Sequence, residues 1–188
     1  MKTITSSLDK PMARGFWTAL GFAALTACLS QATIRLPFSP VPITLQVLGV
    51  ILSGMLLGSR LGALAQIQYI AAGLMGAPIF AGAVAGPVVL AGPTAGYLPG
   101  FILGAFITGL LAERMHNRQI TSLFAVGLAG VAAIYICGAA WLSVWLRVSG
   151  LEQLGAAWLL GILPFIGVDA VKVTLAAMIT TSIDRLKV

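Results

Sequence analysis

The chain is a series of long apolar stretches separated by short polar or glycine-rich segments. A membrane-spanning helix needs about 20 mostly apolar residues, or fewer where neighbouring helices shield it. Six stretches meet this requirement, at residues 15–34, 43–58, 61–75, 94–112, 119–146 and 156–183. The pattern therefore predicts an all-α, polytopic membrane protein with six transmembrane helices.

Glycine and proline indicate where these helices turn or bend. Helices 2 and 3 are short, and we expect a tight turn between them at Gly58, Ser59 and Arg60. Pro164 lies inside the last stretch. It should begin the main helix or kink it, because proline is tolerated best in the first helical turn.

Residues 76–92 fit neither a helix nor an ordinary solvated loop. They carry no charged residue, yet their glycines and prolines exclude a regular helix. Non-helical backbone at membrane depth is tolerated where it is buried in protein or lines a cavity. We therefore expect residues 76–92, named here the cap segment, to form a partly irregular outer cap over a pocket between helices 3 and 4.

Composition excludes most soluble classes of protein. Hydrophobic residues make up 59% of the 188 residues and charged residues only 9%, with a mean hydropathy of +1.02. Soluble domains carry about 25% charged residues. A soluble enzyme and a nucleic-acid-binding domain are excluded, so the net charge of +6 is explained by membrane topology instead.

The distribution of cations predicts the orientation. With six spans and a cytoplasmic N-terminus, the outer side holds only Arg35 and Arg147. The eight cations on the cytoplasmic side are Lys2, Lys10, Arg14, Arg60, Arg114, Arg118, Arg185 and Lys187. A seventh span through the cap segment would change the count to five against five, which the positive-inside rule disfavours. We expect a membrane domain at 14–184, with cytoplasmic tails at 1–13 and 185–188.

Asp169 and Lys172 are the strongest candidates for chemistry. They are three residues apart, so on a helix they lie on one face. Ionisable residues within a membrane helix are costly, and they usually face the bundle interior or a water-filled cavity. Two interpretations stay open at this point. The pair either locks helices together or binds a ligand through one acceptor and one cation.

Other features are weaker or absent. Gln46 can both donate and accept hydrogen bonds, and Tyr97 lies near a predicted helix end, where ligand binding and anchoring are both plausible. No phosphate-binding loop, nucleophile elbow or metal-ligand cluster is found in the sequence. We therefore expect no enzymatic activity, no metal site and no cofactor.

Helix 1 carries a regular pattern of small residues. Ala19, Ala23 and Ala27 recur every four residues. Small side chains at this spacing let another helix approach closely. In a chain so rich in alanine the pattern can also arise by chance, so a partner-docking face is one of two interpretations.

Four motifs in this order resemble the BioY family, the biotin-specific S-components of energy-coupling-factor transporters. They are PITLQ at 42–46, GAPIFAG at 76–82, GPTAGY at 92–97, and Pro164-Phe165 followed by Asp169 and Lys172. The resemblance covers roughly residues 14–184. The chain departs from the family pattern at 83–85, where glycine or a polar residue is expected, and at Ala95, which replaces a usual glycine.

The resemblance implies a six-helix subunit of the bacterial cell membrane that captures biotin from the outer side, with both termini cytoplasmic. Biotin is then the transported substrate. The implied substrate-binding residues are Asp169, Lys172, Gln46, Tyr97, Thr44 and Phe80. Asp169 can accept hydrogen bonds from the ureido N–H groups, while Lys172 can bind either the valerate carboxylate or the ureido carbonyl.

The same resemblance implies partners. In the family, a separate module of two ABC-type ATPases and a transmembrane coupling protein energises transport, while some members are thought to work without a dedicated module, and the sequence does not indicate which type this chain is. The coupling protein docks on small alanines of the first helix, here Ala19 and Ala23, with Ala27 continuing the pattern. Membrane lipid surrounds the subunit, a homo-oligomer is left open, and no nucleic acid is involved. The alternative function is a self-sufficient channel or secondary carrier for another small solute, in which Asp169 and Lys172 form a gate or proton relay.

Labelling of single cysteines can test the predicted topology. In a background without Cys28 and Cys137, cysteines at positions 83 and 116 should react with membrane-impermeant reagents from opposite sides, because the six-span arrangement places the cap segment outside and His116 inside. Reaction of both positions from the same side would contradict six spans.

Overall fold

The structure, a computed structural model, describes residues 9–151 and 157–186 of the chain. This part of the chain is mostly helical. The α-helices are α1 (Asp9–Gln31), α2 (Gln46–Leu74), α3 (Tyr97–Glu113), α4 (Ile120–Val148), α5 (Ala157–Gly161) and α6 (Ile166–Leu186). The other elements are the strands β1 (Thr33–Ile34) and β2 (Ile43–Thr44) and a 3₁₀ helix, η1 (Pro87–Ala91).

The exterior of the molecule suits a lipid environment. Among the described helices, α2, α4 and α6 are each long and apolar enough to cross a membrane, and α3 is a shorter apolar helix. Large apolar side chains such as Trp17, Ile136 and Val171 are 60–70% exposed on the helices that carry them. In water such surface would be costly, whereas lipid tails solvate it.

Helix α2 consists of two arms, at residues 46–57 and 59–74. Gly58 between them adopts a positive φ of 81° with ψ −177°, a conformation that glycine accepts without steric cost. Hydrogen bonds connect the two arms in reverse order of sequence. Near the turn, Gln66 Nε2 donates to Ser53 Oγ at 3.0 Å, and far from it Gln46 Nε2 donates to the Tyr69 hydroxyl at 2.7 Å. The two arms therefore run antiparallel, and the turn predicted at Gly58 is confirmed.

The α2 turn is packed tightly onto the end of α3. Glu113 Oε1 accepts a hydrogen bond from the Ser59 backbone N–H at 2.6 Å. This carboxylate caps the second arm, whose first N–H groups have no helical partner. Gly109 makes the approach possible, because a Cβ there would lie only 2.3 Å from Ser59 N and 2.4 Å from the Gly58 carbonyl carbon.

Two sequence-based expectations need correction. The mostly helical fold expected from the sequence is present, but the sequence did not indicate a short hairpin, in which β1 and β2 pair antiparallel, with Thr33 opposite Thr44 and Ile34 opposite Ile43. As a result α1 ends at Gln31 and α2 begins at Gln46, inside the bounds predicted for helices 1 and 2.

The last predicted helix, 156–183, is also divided. Its first part is the short α5, and α6 begins at Ile166, two residues after Pro164. Proline lacks an N–H and restricts the residue before it, so the helix restarts after it. A main helix beginning near Pro164 is thus confirmed. Residue 156, the tail residues 1–8 and 187–188, and the cations Lys2 and Lys187 lie outside the described residues.

Substitution of Gly109 tests the packing of the α2 turn. Gly109→Ala should lower the free energy of unfolding by roughly 1–3 kcal/mol, because the new methyl group meets backbone atoms that cannot rotate away. The measurement is thermal unfolding of the purified protein in detergent. Gly21→Ala is the matched control, since a Cβ there meets no atom within 4 Å, and it should leave the melting temperature unchanged or slightly higher. Equal stability of the two variants would refute this packing.

Candidate ligand-binding site

A cavity of about 620 Å³ lies between the β1–β2 hairpin, the cap segment and helices α2, α3, α4 and α6. Small-molecule sites typically have volumes of about 300–1,000 Å³. Most of the lining side chains are apolar. The polar and charged side chains on its wall are Thr33, Arg35, Ser39, Thr44, Gln46, Thr94, Tyr97, Tyr135, Asp169 and Lys172. Within the described ranges, no group of three or more His, Cys, Asp or Glu residues could hold a metal ion.

Asp169 and Lys172 form an ion pair on the wall of this cavity. Lys172 Nζ lies 2.6 Å from Asp169 Oδ1, and each side chain is only 4% exposed. Both lie near the start of α6, because the break at Pro164 places Asp169 in the first turn of that helix. The positive end of the helix dipole favours a carboxylate at this position. The predicted pairing on one helix face is thus present in the structure.

Tyr135 completes the cluster and was not singled out from the sequence. Its hydroxyl, on α4, donates a hydrogen bond to Asp169 Oδ2 at 2.6 Å. Tyr135 is a lone phenol in the middle of a long apolar stretch, and a buried tyrosine hydroxyl usually has a partner. That rule could have drawn attention to the residue, although the sequence does not indicate which partner it has.

The cluster keeps free hydrogen-bonding capacity. A carboxylate offers about four acceptor positions and an ammonium three donors. Asp169 accepts one bond from Lys172 and one from Tyr135, and within the described residues Lys172 donates only to Asp169. Acceptor and donor positions of a neutral, buried pair therefore remain for a ligand in the cavity.

Gln46 and Thr44 line the cavity, but their polar atoms mainly hold the wall together. Thr44 Oγ1 donates to Gln46 Oε1 at 2.8 Å, and Gln46 Nε2 donates to the Tyr69 hydroxyl at 2.7 Å. Tyr69 in turn donates to the Ile79 carbonyl in the cap segment at 3.1 Å. One amide hydrogen of Gln46 is left for a ligand. Tyr69, which sequence analysis did not place, links this side of the cavity to the cap.

Phe80 is the most deeply buried residue of the cap segment. Its ring is 2% exposed, packs edge-to-face on Tyr69 with centroids 5.6 Å apart, and covers Gly73, where a Cβ would lie 2.3 Å from it. The Phe80 N–H donates to the Val84 carbonyl at 3.1 Å, which closes a tight turn. Ala83 in this turn has a φ of 59°, a conformation that glycine adopts more readily.

Tyr97 contributes its ring to the cavity, while its hydroxyl has a structural partner. The hydroxyl donates to the Gly161 carbonyl at 2.7 Å, which attaches α5 to α3. The ring fills the space beside Gly138, where a Cβ would lie 2.3 Å away.

Trp141 and Trp145, on α4, hold the end of η1 through hydrogen bonds to backbone carbonyls. Their indole N–H groups donate to the Gly92 and Ala91 carbonyls, each at 2.9 Å.

The alanines predicted to dock a partner lie on the side of α1 that packs on the rest of the molecule. Ala19 is 0% and Ala23 is 5% exposed, and Ala27 is half-buried. Their small size lets α1 approach α2 closely within the chain. Gly21, Ala24 and Cys28 are exposed small residues on the opposite side of α1.

Comparison with known proteins identifies the family. The sequence model of the BioY family matches residues 2–187. This chain belongs to the BioY family. It is 41% identical over 157 residues to the biotin transporter BioY of Thermotoga maritima, a match that covers 84% of this chain and 89% of that protein. The biotin transporter BioY of Rhodobacter capsulatus is 39% identical over 174 residues, covering 87% and 90% of the two chains.

A solved structure matches the fold of this BioY-family chain over almost its whole length. It is the crystal structure of the S-component for biotin from an ECF-type ABC transporter. The two chains superpose with a TM-score of 0.80 at 25% identity, covering 97% of this chain and 95% of the other.

Proposed function

We propose that this chain is the biotin-binding membrane subunit of a biotin uptake system, energised by a separate ATPase and coupling module. One observation carries the proposal. A buried Asp169–Lys172 pair with free donor and acceptor positions lines a cavity large enough for a small ligand, in a member of the BioY family. The relatives described above are biotin transporters, which agrees with this function.

The ureido ring of biotin complements the charged cluster. Asp169 accepts a hydrogen bond from one ureido N–H group, Lys172 donates to the ureido carbonyl, and Tyr135 holds the carboxylate in place. A neutral ureido group leaves the buried pair without net charge. A second carboxylate beside Asp169 would leave an uncompensated buried charge, which costs several kcal/mol. The geometry therefore favours the ureido carbonyl over the valerate as the partner of Lys172.

The apolar part of biotin has a matching wall. The fused rings and the thioether present apolar faces, and the cavity offers aromatic and aliphatic side chains around the charged cluster. Phe80 from the cap segment and Phe165 from the α5–α6 connection are each at most 5% exposed, which makes them rigid surfaces for ring packing. The apolar contact contributes affinity, and the polar cluster gives specificity for the ureido ring.

The arrangement of charges supports six spans with both termini cytoplasmic. The spanning segments are α1, the two arms of α2, α3, α4 and α6. Contacts at one end of the bundle join Ser59 to Glu113 and Arg118 to Asp184, with Arg118 Nη1 3.3 Å from Asp184 Oδ2. Most of the cations assigned to the cytoplasm lie near this end, while the cavity and the cap segment lie at the opposite, outer end.

The energising partners are a transmembrane coupling protein and ABC-type ATPases. This division of labour agrees with the ECF-type transporter to which the superposed S-component belongs. The docking role of Ala19, Ala23 and Ala27 stays a prediction. Since Ala19 and Ala23 are covered by the chain itself, a coupling protein would contact them only after α1 shifts on α2.

Removal of either charge tests the function and the site together. In calorimetry of the purified protein, Asp169→Asn and Lys172→Met should each weaken biotin binding roughly 30- to several-thousand-fold, because each leaves a desolvated charge without its partner. Asp184→Asn is the matched control. It removes a carboxylate from the opposite end of α6 and should keep native affinity. Near-native affinity of both folded cluster variants would make the pair structural and refute this site.

Tyr135→Phe tests the third member of the cluster. The variant loses one hydrogen bond to a charged acceptor, a loss of about 1.5–3 kcal/mol, so biotin affinity should fall about 10- to 100-fold. The effect should therefore be smaller than that of Asp169→Asn. Native biotin affinity in a folded Tyr135→Phe protein would show that the hydroxyl does not position the carboxylate for the ligand.

A further inference from the structure

Three charged side chains line the cavity, and they differ sharply in burial. Asp169 and Lys172 are buried and neutralise each other, whereas Arg35 is exposed. Among the side chains described, those of residues 13–151 and 157–186, the Arg35 guanidinium has no partner in a hydrogen bond or ion pair. A cation without an anionic partner thus lies at the rim of a cavity whose deep end carries no net charge.

The backbone around Arg35 is held in a defined place. Arg35 directly follows β1, whose pairing with β2 places the hairpin against the cavity, and the Thr33 hydroxyl anchors the start of the hairpin by donating to the Ser30 carbonyl at 2.7 Å. On the other side the side chain reaches the Phe80–Val84 turn. A Cβ at Gly82 would lie 3.4 Å from Arg35 Nη2, which means that the guanidinium lies beside the cap segment.

The distribution of charge on biotin indicates which of its groups binds at the deep end of the cavity and which binds at the rim. Biotin carries one neutral polar end and one carboxylate, separated by a flexible alkyl chain. The deep end already contains a carboxylate with its own cation, so a second anion there lacks compensation. At the rim, the planar guanidinium can bind a carboxylate through two parallel N–H groups while the carboxylate keeps part of its hydration.

We propose that Arg35 is the specificity-determining residue for the ligand carboxylate: it binds the valerate at the mouth of the cavity, with the ureido ring at Asp169 and Lys172. This inference rests on the proposed function and assigns an orientation to the ligand. It also separates two forms of selection, since the buried cluster recognises the ureido ring and Arg35 distinguishes the free acid from neutral derivatives.

The test compares biotin with its neutral amide, by calorimetry on the full-length protein in detergent. The wild type should bind biotin roughly tenfold more tightly than the amide, a moderate factor because the rim is hydrated. In Arg35→Gln, biotin affinity should fall to the level of the amide, and the amide affinity should stay within about twofold of the wild type. The preference of the wild type should also weaken at high ionic strength, which screens an exposed pair.

Two further variants make the comparison specific. Arg114→Gln removes an exposed cation at the other end of the bundle, and it should change neither affinity. Lys172→Met should weaken biotin and amide alike while the preference for the free acid persists. Loss of that preference in Lys172→Met, with its retention in Arg35→Gln, would assign the carboxylate to Lys172 and overturn the inference.

The remaining outcomes distinguish this inference from the proposed function. Equal wild-type affinity for both compounds, or an equal weakening of both by Arg35→Gln, would overturn the role of Arg35, while biotin binding by the wild type would still support the proposed function. Equal weakening would instead indicate a structural contact or a bound lipid phosphate. Failure of the wild type to bind either compound would reject the proposed function and the inference with it.

Discussion

The burial of Asp169 and Lys172 in a protein solvated by lipid is the constraint on which the site depends. A lone charge in this environment is expensive, and removing one member of a buried pair costs more than the pair itself contributes. Three features of the chain stabilise the Asp169 carboxylate: the Lys172 ammonium at 2.6 Å, the Tyr135 hydroxyl at 2.6 Å, and its position in the first turn of α6. The break at Pro164 is therefore part of the site, because it sets where that helix begins.

The cap segment meets a similar requirement, because its backbone N–H and C=O groups, like the buried charges, need partners. Non-helical backbone near lipid needs partners for its N–H and C=O groups. Side chains from the surrounding helices supply several of them: Tyr69 and Ser30 donate to the Ile79 carbonyl, and Trp141 and Trp145 donate to the carbonyls around η1. The cap is thus attached to three helices, and these contacts pair three of its carbonyls while apolar side chains of the cap line the cavity.

The sequence predicts features that depend on one residue or on local spacing. The turn at Gly58, the restart of the helix after Pro164 and the Asp169–Lys172 pair belong to this group, because positive φ, a missing N–H and a three-residue helical spacing are local properties. Features that need two distant segments were not predictable: Tyr135 meets Asp169, Tyr69 meets Ile79, and β1 meets β2 only in the folded chain. Burial of Ala19 and Ala23 belongs with these, since a repeat of alanines indicates close packing but not the partner.

The neutrality of the buried Asp169–Lys172 pair determines how strongly the membrane voltage acts on ligand capture. In the proposed orientation, a ureido ring that binds to the free positions of the Asp169–Lys172 pair adds no charge to the apolar interior, and a carboxylate bound at Arg35 stays near the aqueous phase. Capture therefore moves almost no charge through the membrane field, and a membrane voltage performs almost no work on this step. Under the proposed orientation of the ligand, the voltage supplies no energy for uphill uptake during capture, so the driving force has to enter at a later step of the transport cycle.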